Sequence, residues 1–84
     1  MASQTLQLRY LIPEFYPAAT DFIVDEVEER VYFENEGNGE MQAHIDRENE
    51  WVAFYYKQGE DWRWADGVIF WEADDVNGEP IFNI

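Results

Sequence analysis

This sequence predicts a small, mainly β domain built on an antiparallel sheet, and three observations predict it. Apolar and polar residues alternate in several short runs. Turn-forming tracts separate those runs at the spacing of about 8–12 residues usual for sheet proteins. Aromatic residues make up 18% of the chain, and such large side chains let so short a domain reach a stable core without disulfides. A meander and a small barrel both satisfy the pattern, with residues 1–84 forming one domain. An α+β arrangement with one helix within 18–30 is the alternative.

Thr5–Ile12 alternates, with Leu6, Leu8, Tyr10 and Ile12 on one side and Gln7 and Arg9 on the other, so it reads as the first strand. Pro13 would end its ladder, and Pro17 keeps the following stretch irregular. Ala18–Arg30 is ambiguous. Ile23, Val24, Val27 and Val31 sit at helical spacing, with Asp21, Asp25 and Glu26 early and Arg30 late, as a helix dipole favours. Ile23, Val27, Val31 and Phe33 also share one face of an extended strand, and their β-branching favours that reading. Residues 30–34 then lead into Asn35-Glu36-Gly37-Asn38-Gly39, a hairpin-type turn.

Glu40–Asp46 alternates again, with Met41, Ala43 and Ile45 on one face and Gln42 and His44 on the other. Trp51–Tyr56 is apolar on both faces, which suits a strand covered on two sides, and Gln58-Gly59-Glu60-Asp61 breaks it. Trp62–Ala65 leads to Asp66-Gly67, a two-residue hairpin signal, and on to Val68–Trp71. Asp74–Gly78 holds a further Asn-Gly, and Pro80–Ile84 is expected as a short edge strand.

The charge is the second strong feature. Nineteen Asp and Glu stand against five Lys and Arg in 84 residues, a net charge of −14 with a pI near 4.1. Each half of the chain carries about the same excess, so the acidity belongs to the fold and not to a tail. High charge with few aromatics would mean disorder; here four Trp, five Tyr and six Phe supply a core. A domain of this size buries only about 60–65% of its unfolded surface, so large rings matter to its stability. The acidity argues against direct binding of nucleic acid, which rests on Lys and Arg neutralising phosphates. It also argues against an anionic membrane surface. No apolar run spans a bilayer, and Met1-Ala2-Ser3-Gln4 lacks a signal peptide's basic region. A cytoplasm, its own or a host's, is the expected address.

Catalytic chemistry finds little to work with. Cysteine is absent, His44 is the single histidine, and Ser3, Thr5 and Thr20 are the only small hydroxyls. A Ser-His-Asp arrangement would need every part from those few positions. Paired carboxylates are too abundant to signal a glycosidase, and so short a chain has little depth to desolvate one. The glycine-bearing acidic loops fail an EF-hand test, because the twelfth position falls on Ile45 or Ile84 where a glutamate is required. No phosphate-binding glycine loop occurs. The reading is therefore non-enzymatic, without metal or cofactor.

What remains is the unneutralised acid. Two like charges about 7 Å apart in water repel by about 0.6 kcal/mol before screening, so a surplus of this size opposes folding. Alternate residues on a strand face the same way about 6.6–6.8 Å apart, so carboxylates on adjoining strands can build rows resembling a phosphate backbone. The expected function is an acidic inhibitor that mimics nucleic acid and masks the basic site of a DNA- or RNA-binding partner protein, as phage counter-defence proteins of anti-restriction or anti-CRISPR type do. The candidate contacts are Asp25, Glu26, Glu28 and Glu29; Glu34, Glu36 and Glu40; Asp46, Glu48 and Glu50; and Asp74, Asp75 and Glu79. The alternative is an acidic interaction module that binds through an aromatic sheet face bearing Trp62 and Trp64. A solvated acidic surface of a salt-adapted protein is the plain third reading. An uncovered sheet edge leaves a homodimer open.

Overall fold

The computed structural model describes residues 3–75 and 77–82. One helix, α1 (Gln4–Phe15), precedes five strands: β1 (Ala19–Asp25), β2 (Arg30–Asn35), β3 (Gly39–Asp46), β4 (Trp51–Gln58) and β5 (Asp61–Ile69). A single 3-10 turn, Phe70–Glu72, follows. The strands form one open antiparallel sheet in the order β1-β2-β3-β4-β5, so each pairs only with its sequence neighbour. The mainly β meander is thus the architecture, with its helix in a different place.

The expected strand at Thr5–Ile12 is a helix. Its sequence satisfies both periods: Leu6, Leu8, Tyr10 and Ile12 alternate, while Thr5, Leu8, Leu11 and Ile12 lie on one helical stripe. The helical stripe is the one that is buried, and Tyr10 is 55% exposed. Ser3 caps the helix by accepting a 3.1 Å hydrogen bond from the Leu6 backbone N–H. Pro13 lies within the last turn and does not end the helix.

The 18–30 segment holds no helix. β1 ends at Asp25, and the turn that follows is built by Asp25, whose Oδ1 accepts from the backbone N–H groups of Val27 and Glu28. Val27 is 90% exposed on that turn, and Ile23 points away from the core, so neither shares a face with buried Val31 and Phe33. A register shift between Thr20 and Ile23, with Asp21 at φ 57°, turns Phe22 and Val24 inward instead.

Asp66-Gly67 is not a hairpin either: β5 runs through it, with a bulge opposite Phe54/Tyr55. Gly67 has a packing role. A Cβ there would lie 2.9 Å from two ring atoms of Trp64, so only glycine leaves room for that ring. The Gln58–Asp61 and Asn35–Gly39 breaks are tight hairpins as read from the sequence. The second Asn-Gly closes a turn in which Asp75 N–H donates to the Glu79 carbonyl at 2.7 Å. Beyond it Asp74 and Pro80 make one isolated bridge, and no strand continues to Phe82; residues 83 and 84 of the expected edge strand lie outside the described residues.

The core fills the space between α1 and one sheet face. Leu8, Leu11 and Ile12 meet Val31, Phe33, Met41, Ala43, Ile45, Val52 and Phe54 there, and Phe70 stacks on Phe82 at 4.0 Å to close the far side. Tyr16 wedges its ring between Phe33 and Phe54. Among the described residues, no helix covers the opposite sheet face.

Candidate functional site

The turns place the carboxylates. Antiparallel pairing puts the β1–β2 and β3–β4 turns at one end of the sheet and the β2–β3 and β4–β5 turns at the other. Asp25, Glu26, Glu28, Glu29, Asp46, Glu48 and Glu50 gather at the first end, and Glu34, Glu36 and Glu40 at the second. Asp46 and Glu40 share a face of β3 six residues apart, about 20 Å. Asp74, Asp75 and Glu79 lie on the C-terminal segment, which reaches the helix start, where the Gln4 side-chain amide donates to the Ile81 carbonyl.

The candidate acids divide by duty, which the sequence reading did not do. Asp25, Glu29, Asp46 and Asp75 are half-buried and hold the fold together; the other nine are exposed. Asp75 Oδ1 accepts from the N–H groups of Asn77 and Glu79. Asp46 accepts from the backbone and side chain of Asn49 and from the Trp51 indole N–H at 3.1 Å. The Asn49 contacts first, then Trp51, hold its carboxyl below the usual range. Arg47 donates through Nε to Glu29 at 2.9 Å and keeps that carboxyl low as well. Of the nine, Glu26 accepts from the Ser3 hydroxyl and Glu40 pairs with Lys57 at 3.4 Å. Arg47–Glu29 and Lys57–Glu40 are the ion pairs among the described residues. Glu34 stands directly opposite Glu40 in the β2–β3 ladder, a like-charge pair that opposes sheet formation.

The open sheet face is aromatic between its acidic ends. Trp64 packs against Trp51 at 5.3 Å and meets Tyr55 edge-on at 5.8 Å. Trp62 lies across the sheet: its ring centroid is 6.3 Å from that of Tyr32, although β3 and β4 separate their strands. Trp62 is 36% and Trp64 49% exposed, so the two rings predicted to share a face do so and keep an outward surface. Trp71, on the 3-10 turn, is 74% exposed.

Beneath Trp62 is a feature that no sequence motif announced. Arg30, Gln42, His44, Tyr55 and Trp62 line a pocket of about 130 Å³. Gln42 is 2% exposed, and its Oε1 accepts from Arg30 Nη1 at 2.8 Å. Burial first, and then the Arg30 guanidinium, push the His44 imidazole below its ordinary pKa, against the pull of Asp46, Glu29 and Glu28. The signal for this site is sheet register, which sets Arg30 opposite His44 and aligns Tyr32, Gln42, Tyr55 and Trp64 in one row.

No family model, curated protein or solved structure matches the chain. No helix among the described residues is long and apolar enough to cross a membrane.

Proposed function

We propose that this protein is a non-catalytic acidic inhibitor that mimics nucleic acid and masks the basic site of a DNA- or RNA-binding partner, in the manner of phage counter-defence proteins, acting in a cytoplasm of its own or of a host. One observation carries the reading. Nine of the thirteen candidate carboxylates stand outward on hairpin ends and the C-terminal segment of one hydrogen-bonded framework, and only one of those nine has a cationic partner among the described residues. A partner's Lys and Arg would meet anions carried on a backbone that is already ordered, so only the side chains themselves remain to be ordered on binding. Association would be fast and strongly salt-sensitive.

Retention of a nucleic-acid-binding protein from host lysate at low salt, with release at about 0.5 M salt, tests the proposal. Replacing Glu34, Glu36 and Glu40 together by Gln is expected to weaken retention at least tenfold. If nothing that binds nucleic acid is retained, or if retention ignores salt, the proposal fails.

The exposed rings favour one second reading, an interaction module that uses its aromatic sheet face. Loss of binding on replacing Trp62 and Trp64, without loss on replacing the three glutamates, would select it.

A further inference from the structure

In a chain with nineteen acids, Arg30 is held by a neutral amide. Its guanidinium makes no ion pair among the described residues, and its one side-chain hydrogen bond there goes to Gln42. Asp25 stands opposite Arg30 in the β1–β2 ladder, but its Oδ1 is committed to the Val27 and Glu28 N–H groups. A guanidinium has five N–H donors in a flat fork, so most of its donors remain to be used. Gln42 fixes the orientation of that fork, because a buried amide that lost its partner would leave a polar group unsatisfied.

The surroundings define what the fork would bind. Tyr55 and Trp62 wall the pocket with rings, and His44 adds a second nitrogen base beside Arg30. A volume of about 130 Å³ is close to the space that holds a single benzene ring. Carboxylate and phosphate oxygens match the guanidinium fork, and a flat group attached to them would stack between the rings. Carboxylates stand close by, Asp25 opposite Arg30 and Asp46 two residues from His44 on β3, about 6.6–6.8 Å away, so an anion binds against their repulsion and added salt, by screening it, works in the ligand's favour.

We infer that the pocket under Trp62 is a binding site for a small anion carried on a planar ring, an aryl carboxylate or aryl phosphate, with Arg30 as its anchor and Trp62 as its lid. This site does not rest on the inhibitor reading, since it uses a cation where that reading uses anions. His44 makes binding pH-dependent. An anion at Arg30 offsets the guanidinium's effect on the imidazole and stabilises its protonated form, adding to Asp46, Glu28 and Glu29, which already favour it. Affinity should therefore rise as pH falls through the His44 pKa of the complex.

The probes are benzoate and phenyl phosphate, titrated into the intact chain. His44 is the only histidine, so its ring protons report the site directly in an NMR spectrum, with tryptophan fluorescence as a second readout. The expected result is saturable binding of at least one probe, a shift of the His44 signals towards their protonated positions, and tighter binding at pH 5.5 than at pH 7.5. The tighter probe identifies carboxylate or phosphate as the preferred group. Arg30→Gln should weaken binding at least tenfold, and Arg30→Lys, which keeps the charge without the fork, should weaken it less. Trp62→Leu, checked for folding by circular dichroism, should weaken it severalfold. Absence of saturation with both probes, or equal affinity in folded Arg30→Gln, would overturn the assignment.

Discussion

Glu34 is the residue at which folding and the proposed function pull apart. It faces Glu40 directly across the β2–β3 ladder, and Lys57 reaches only Glu40. Like charges in opposed positions cost about 0.2–1 kcal/mol. Glu34→Gln should therefore raise the urea midpoint while weakening retention of a basic partner, and the stability gain should shrink in high salt. Asp46 works in the opposite sense. Its folded pKa is depressed by Asn49 and Trp51, so its contribution is present above the unfolded value and is lost as pH falls through the lower folded one. Asp46→Asn should accordingly be less stable than the parent at pH 6, with the gap narrowing towards pH 2, as urea unfolding at several pH values would show. Tryptophan circular dichroism would register any change at the Trp51 indole that Asp46 holds.

Among the elements, α1 carries most of the difference between reading and structure. Leu6-Leu8-Tyr10-Ile12 fits a strand as well as Thr5-Leu8-Ile12 fits a helix, and no local rule decides between them. Docking decides, because the sheet leaves one face bare and only the helical stripe covers it with Leu8, Leu11 and Ile12. Ser3 caps the helix, a role the strand reading had no reason to give it, and Ser3→Ala is expected to cost about 1 kcal/mol in thermal or urea unfolding. The strands were more legible. β3 follows its alternation, β4 falls on the run read as apolar on both faces, and the breaks at Asn35–Gly39 and Gln58–Asp61 carry glycines that adopt positive φ. Gly67 misled because a glycine beside Asp looks the same whether it serves a turn or makes room for an indole ring. The acid surplus was visible in composition, but its division into turn-holding and outward groups was not. That division depends on which Asp oxygens meet a backbone N–H. The pocket was invisible for a related reason: its residues come from four strands, and only their register unites them.

Over the whole molecule, a charge of −14 spread on a body 35 × 25 × 22 Å in extent makes the folded state sensitive to ions. Raising salt from low to about 0.5 M should raise the melting temperature by several degrees, since screening relieves repulsion among the outward carboxylates more than it weakens two ion pairs. A chain that melts cooperatively in dilute buffer would separate this protein from one adapted to strong brine. The strictly sequential strand order has a kinetic consequence as well. Each hairpin closes a loop of only a few residues, so the search entropy for every pairing is small, and the sheet can zip strand by strand as the chain leaves the ribosome. The helix, synthesised first, packs on β1, β2 and β3 and has no complete surface to rest on until those strands have joined, which makes its docking the late event of assembly.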